Sequence, residues 1–213
     1  MKIYQLYYKE EQIKNCFKES ELVECPNLDK KAIWEDRTYP LFENHEIIAL
    51  SMGMYDNEYY GILSHAFKKK ITFINSFKDL ESKISSKGDA EVITFHKKHN
   101  PSKFMVNMER WHHGSLNLFI DTLELAGLPL APIKTTVYSN YFIAKGSIIK
   151  DYVNTWLIPF VQEVYKMPER YYVPANYKKA IREKGCDYPL HPFIIERLFS
   201  LYLANNNYKI YEN

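Results

Sequence analysis

Three places in the sequence gather side chains able to do acid–base or anion chemistry. Ser64-His65 follows directly on the apolar run Tyr59 to Leu63 and precedes the basic run Lys68-Lys69-Lys70. A polar pair that ends a buried strand is a site-type position, and ammonium groups such as Lys68 beside it lower the cost of confining phosphates, although the run reads first as a solvated basic face. Glu109-Arg110-Trp111-His112-His113-Gly114 sets imidazoles, a guanidinium, a carboxylate and an indole in one short segment. The indole face of Trp111 suits a sugar or base ring while Arg110, His112 and His113 suit hydroxyls or phosphate; the alternative is a core tryptophan with histidines at a solvated helix start. Glu196-Arg197 lies inside the apolar frame Phe193-Ile194-Ile195 and Leu198-Phe199, so at least one of its charges sits near a buried helix flank. A charge there needs a partner: it makes a structural ion pair, or aims into a pocket floor.

Other chemistry is weaker or absent. His96 and His99 have a metal-ligand spacing, but Lys97 and Lys98 between them repel a dication. Cys16, Cys25 and Cys186 form no Cys-x-x-Cys pair and are expected as free, packed thiols of a reducing, intracellular setting. There is no G-x-G-x-x-G, G-x-x-x-x-G-K, G-x-S-x-G or H-E-x-x-H. That disfavours dinucleotide oxidoreductases, P-loop enzymes, serine hydrolases of the elbow type and zincins.

The elements that must position these groups follow from pattern. Strands are expected over Ile3 to Tyr8, Tyr59 to Leu63, Glu91 to Phe95, Thr135 to Ala144 and Tyr208 to Tyr211. A short helix is expected near Cys16, then a loop anchored by Trp34. Further helices are expected over Leu41 to Tyr55, with Glu43 in its acidic first turn, over Ser76 to Lys87, and from Leu116 to a stop at Gly127. Ile148 to Lys166, Ala175 to Lys184 and Pro192 to Leu203 complete the set. Alternating strands and helices without repeats predict a single α/β domain over residues 1–213, with a mostly parallel or mixed sheet. In such sheets ligands lie beyond the carboxyl ends of the strands, which draws Ser64-His65, the flanks of Thr94-Phe95 and Asn140 into one region.

Composition agrees with a globular chain: 213 residues, 46% apolar and 25% charged, with 28 Lys+Arg against 26 Asp+Glu. Folding at this length hides roughly 70% of the unfolded surface without help from disulfides or metal. The net charge of +2 argues against bulk nucleic-acid binding. No apolar run approaches the roughly 20 residues of a membrane span, and the start of the chain has no leader pattern. A soluble, unprocessed, cytoplasmic protein is expected.

Four segments taken in order resemble the small glycosyltransferase-like proteins of bacterial polysaccharide clusters, including the capsular polysaccharide synthesis type, built on the nucleotide-diphospho-sugar transferase (GT-A) fold. Glu43 in its helix with Tyr59-Tyr60-Gly61-Ile62-Leu63-Ser64-His65 looks like the family's acidic helix and tyrosine-glycine strand. Val92 to Phe95 with Glu109-Arg110-Trp111-His112-His113-Gly114 is similar to its strand and aromatic-histidine-glycine segment. Tyr138-Ser139-Asn140-Tyr141-Phe142-Ile143-Ala144-Lys145, followed by Asp151-Tyr152, resembles its asparagine-aromatic-phenylalanine strand. His191-Pro192-Phe193-Ile194-Ile195-Glu196-Arg197-Leu198-Phe199 is similar to its glutamate-arginine-leucine helix. The match runs from about residue 40 to residue 211.

The resemblance implies a GT-A-like mixed sheet flanked by helices and transfer of a sugar from a nucleotide-sugar donor to a glycan or lipid-linked acceptor. It implies catalytic roles for Glu196, His65 and Glu43, and substrate contacts from Tyr60, Ser64, Lys68, Arg110, Trp111, His112, His113, Asn140, His191 and Arg197. GT-A enzymes hold Mn²⁺ or Mg²⁺ on an Asp-x-Asp at a strand end, where the metal meets the donor diphosphate. This sequence has no Asp-x-Asp; Ser64-His65 stands in that place, and Lys68 or Arg110 is left to neutralise the diphosphate. The alternative is a catalytically inactive sugar- or nucleotide-binding module of the same fold.

Overall fold

The structure, a computed structural model, describes residues 1–25, 43–95, 101–166, 170 and 190–212, without the side chains of residues 43–45, 101 and 111. Trp34, the His96 and His99 pair, the helix expected over Ala175 to Lys184, and Cys186 therefore lie outside the described residues, as do the side chains of Glu43 and Trp111.

Six strands form one mixed sheet: β1 (Lys2–Tyr7), β2 (Glu21–Glu24), β3 (Tyr59–Ser64), β4 (Val92–Thr94), β5 (Phe142–Lys145) and β6 (Ile210–Glu212). Their order is β2-β1-β3-β5-β4-β6. β2 and β3 run parallel to β1, β6 runs parallel to β4, and β5 is antiparallel to both β3 and β4. The carboxyl ends of β1, β3 and β4 and the amino end of β5 consequently share one edge of the sheet.

Side chains alternate across the strands with a period of two, so the inner strands of the sheet feed two cores. Tyr4, Leu6, Tyr60, Ile62, Val92, Phe142 and Ala144 point to one face. There they meet α1 (Glu43–Ser51), α4 (Phe104–Trp111), α5 (Ser115–Leu125), α6 (Gly146–Tyr152), α7 (Ile158–Lys166) and α8 (His191–Ala204). Ile3, Leu63, Ile93 and Ile143 point to the other face, under Phe17, α2 (Phe67–Lys70) and α3 (Phe77–Ser85). On the first face Phe142 stacks on Phe199 of α8 with centroids 3.7 Å apart. On the second, Phe67 meets Phe95 and Tyr141 edge-on at 5.4 and 5.2 Å. Such pairs add about 0.5–1.5 kcal/mol each beyond the area they bury.

Two glycines are set by close approach. A Cβ on Gly61 of β3 would come within 2.9 Å of side-chain atoms of both Ile3 and Ile143, so the flanking strands close over a bare backbone. Gly146 opens α6 directly against the Tyr55 carbonyl, where a Cβ has no room.

The elements depart from the sequence pattern in several places, among them a short helix at Phe67–Lys70 where none is expected and an α1 that ends at Ser51 rather than Tyr55. Glu21–Glu24 is a strand where a loop is expected: it is a mostly exposed edge paired, among the described residues, with β1 alone, so no core face marks it. Of the strand expected over Thr135 to Ala144, only Phe142–Lys145 pairs, because the chain turns at residues 139–140 before entering the sheet. Phe104–Trp111 is helical although no helix is expected there. The helix expected over Ile148 to Lys166 is continuous but carries a π turn at Val153–Leu157.

Candidate functional site

The strand order reverses at β1, whose two neighbours, β2 and β3, lie on opposite sides of it. A reversal of this kind opens a crevice beyond the carboxyl ends of the flanking parallel strands. Tyr8 leaves β1 there and His65 leaves β3, their rings edge-on with centroids 6.3 Å apart. The chain entering β5 walls the same edge on the other side of β3 from β1, where the Tyr141 hydroxyl hydrogen-bonds the Ser64 hydroxyl at 2.8 Å.

That wall is held in an unusual backbone conformation. Ser139 and Asn140 both have φ of 55°, the left-handed region that costs a residue bearing a Cβ roughly 1–2 kcal/mol. Glu196, reaching down from α8, holds the turn: its Oε1 accepts the Ser139 N–H at 2.6 Å and the Ser139 hydroxyl at 3.1 Å. On the solvent side the Lys70 ammonium donates to Ser139 Oγ at 3.5 Å and lies 5.4 Å from the Tyr141 ring centroid. Backbone strain held in place by a buried flank is a feature of binding sites.

His65 is the titratable group at the centre of this edge. Burial lowers its pKa; the Leu6 carbonyl raises it, and the positive charge of Lys70 lowers it further, the net direction being downward. Its Nδ1 is buried without a hydrogen-bond partner. A neutral imidazole at neutral pH is able to take a proton from a bound hydroxyl.

Behind the Glu196 turn, the next residue is buried. Arg197 is 4% exposed; its guanidinium donates to the Phe193 carbonyl and lies 5.6 Å from the Tyr138 ring centroid. Its NH1 is 4.0 Å from Glu196 Oε2, while its Nε is buried with no partner. His112, at the end of α4, stacks on Phe193 with centroids 3.8 Å apart. Burial, and then the charge of Arg197, hold its pKa down to about 3, so this imidazole is neutral. His191 is fully buried at the start of α8, and Asn140 is buried in the turn.

The contacts thus link Ser64, beside His65, through Tyr141 and Ser139 of the Asn140 turn to Glu196, with Arg197 next to Glu196 and His112 against Phe193. The remaining expected residues lie elsewhere or point elsewhere. Tyr60 sits in the amino-terminal half of β3, where its hydroxyl accepts the Tyr55 N–H at 3.0 Å and donates to Glu58 at 3.2 Å. Lys68 donates to the Cys16 carbonyl at 3.1 Å on the second face of the sheet. His113 is exposed and paired with Glu109 at 2.6 Å. Glu109 also accepts the Gly114 and Leu116 amides at 2.9 and 3.1 Å, which caps α5; burial raises its pKa, and these amides and His113 outweigh that and lower it. Arg110 is exposed on α4. The acid, imidazole and glycine of that segment therefore connect two helices.

Tyr8 adjoins this edge without having been singled out by sequence pattern; Lys70 lay in the basic run, and Ser139 and Tyr141 in the segment around Asn140, with no role of their own assigned. The expected polar strand ends were the available signal, since Lys70 and Tyr141 lie within a few residues of His65 and Asn140. For the Mn²⁺ or Mg²⁺ that a GT-A fold implies, the described residues supply no fitting set: none of their His, Cys, Asp and Glu side chains gather in threes or more able to hold a metal ion. Among the described residues no helix is long and apolar enough to cross a membrane. Comparison with protein-family models, with curated proteins and with solved structures finds no match to the chain.

Proposed function

We propose that the chain is a cytoplasmic glycosyltransferase-like enzyme of GT-A type that moves a sugar from a nucleotide-sugar donor to a glycan or lipid-linked acceptor. One observation carries the reading: Glu196 of α8 holds the Ser139–Asn140 turn, and the next residue, Tyr141, bonds Ser64 beside His65 at the carboxyl end of β3. A mixed sheet with helices on both faces supports it too.

In this reading the acceptor hydroxyl attacks the anomeric carbon as the bond from that carbon to the diphosphate breaks. The electron pair leaves with the nucleoside diphosphate, and the proton passes to the neutral imidazole of His65. Lys70 faces the departing anion, where a fixed cation stabilises developing charge. Glu196 acts as a positioning residue, because one carboxylate oxygen is already engaged by Ser139 twice over. Glu43 keeps its proposed place in the first turn of α1, and Trp111 that of a stacking surface at the end of α4.

The test is thermal melting of the full chain with UDP- and GDP-sugars, with and without Mn²⁺, alongside release of free nucleoside diphosphate. Donor should raise the melting temperature, and His65→Ala should abolish release while the protein stays folded. Absence of any shift and any release with every donor would overturn the reading. Stabilisation by donor without turnover would instead identify an inactive binding module, a second reading favoured by the engagement of Glu196 with Ser139.

A further inference from the structure

The second face of the sheet carries a groove that the crevice chemistry does not use. It has a volume of about 470 Å³ and runs between the 3-10 turn Glu10–Asn15 with the segment after it, Lys68 of α2, and the start of α3. That volume lies in the range of small-molecule sites, roughly 300–1,000 Å³. Phe17 forms its floor, Phe77 stands edge-on to Phe17 with centroids 6.0 Å apart, and the exposed Leu22 adds an apolar wall.

Its charge is one-sided. Lys14, Lys18 and Lys68 line it against a single carboxylate, Glu19. Lys68 is not a free surface lysine: it is half-buried, donates to the Cys16 carbonyl at 3.1 Å, and lies 5.3 Å from the Phe17 ring centroid. That pins a charged ammonium over the groove floor with two N–H bonds still to donate. The Asp79 carboxylate of α3 is engaged in its own helix cap, where it accepts the Asn75 and Ser76 amides at 3.0 and 2.9 Å.

We infer that this groove binds a small phosphorylated molecule with a flat or apolar body, its phosphate held by Lys68 with Lys14 and Lys18 and its body against Phe77 and Leu22. The chemistry requires both halves. Phosphate alone leaves the apolar wall wet, and a neutral ring leaves the ammonium groups unused. The site is independent of the crevice and of the transfer reaction proposed for it.

The probes are AMP, adenosine and inorganic phosphate, titrated calorimetrically into the full chain at low salt, with amide chemical shifts locating the contact. AMP is expected to bind at least about tenfold more tightly than either adenosine or phosphate, a difference of about 1.4 kcal/mol. The amides of Cys16, Phe17 and Phe77 are expected to move, and added salt is expected to weaken binding. Lys68→Gln should weaken AMP by at least about tenfold. The Lys14→Gln, Lys18→Gln double variant changes only exposed side chains, so it tests the same charge without risk to folding. His65→Ala should leave AMP binding unchanged. Equal affinity for AMP and adenosine, equal affinity for AMP and phosphate, AMP binding untouched by the lysine variants, or shifts centred on His65 and Ser139 would each overturn the inference.

Discussion

Ser139 gives both its amide N–H and its hydroxyl to one oxygen of Glu196, across 57 residues of sequence, at 2.6 and 3.1 Å. This contact ties α8 to the left-handed turn that delivers Asn140 and Tyr141 to the sheet edge. Hydrogen bonds to a charged acceptor contribute about 1.5–3 kcal/mol each when partly buried, comparable with the cost of two left-handed residues.

The first prediction follows from that balance. Glu196→Ala should lower unfolding free energy by about 1–3 kcal/mol, since it leaves the Ser139 amide unpaired. Asn140→Gly should restore part of the loss in the same background, because glycine adopts positive φ without a Cβ clash. Urea melts of the two single variants and the double variant form the cycle that measures this; no rescue by glycine would show that the turn is unstrained.

A second prediction concerns acid stability. The His112 imidazole is held down to about 3 by burial first and Arg197 second, against an ordinary value of 6.5. The folded state therefore resists a proton that the unfolded state accepts. The stabilisation is whole above pH 6.5 and is lost as pH falls from there toward the folded value, with a slope of up to about 1.4 kcal/mol per pH unit. His112→Gln should flatten that limb in urea melts taken between neutral and acid pH. An unchanged slope would mean that another group sets it.

Backbone proximity gives a third. Gly146→Ala drives a methyl into the Tyr55 carbonyl, a backbone atom that cannot swing aside, whereas the tight contacts of Gly61→Ala are with side-chain atoms of Ile3 and Ile143, the Phe142 carbonyl standing at 3.5 Å. Both should destabilise, Gly61→Ala by about 1–3 kcal/mol and Gly146→Ala by more. The order of their melting temperatures checks it.

The buried strands were legible because Tyr59-Tyr60-Gly61-Ile62-Leu63 and Val92-Ile93-Thr94 are apolar on both faces. Glu21–Glu24 was not, since an edge strand with charged ends has the pattern of a loop. The start of β5 was read too early: Thr135, Thr136 and Val137 are buried and look like a strand, yet Val137 donates its amide N–H to the Ser200 hydroxyl of α8 rather than to a neighbouring strand. Polar strand ends were readable from Ser64-His65 and Asn140, but their partners were not. Lys68 and Lys70 are indistinguishable in a run of three lysines, and only the path of α2 sends one to the Cys16 carbonyl and the other to Ser139. His112 and His113 are adjacent in sequence, yet one is buried against Phe193 and the other paired with Glu109 in solvent.

The last prediction joins Lys70 to His65. Burial is the largest cause of the lowered His65 pKa, and the positive charge of Lys70 adds to it. Lys70→Gln removes only the second cause, so the imidazole should titrate at higher pH than in the native chain while staying below 6.5. An NMR titration of the His65 ring protons reads this directly. If His65 takes the acceptor proton, the acid limb of donor turnover should move upward by the same amount, because activity needs the neutral ring. In the proposed transfer Lys70 would also stabilise the departing diphosphate, so turnover on the plateau should fall about 10²–10³-fold, as it does when one charge-stabilising donor is removed. A plateau that falls with no movement of the limb would separate the two roles, leaving Lys70 with the anion and some other group with the proton.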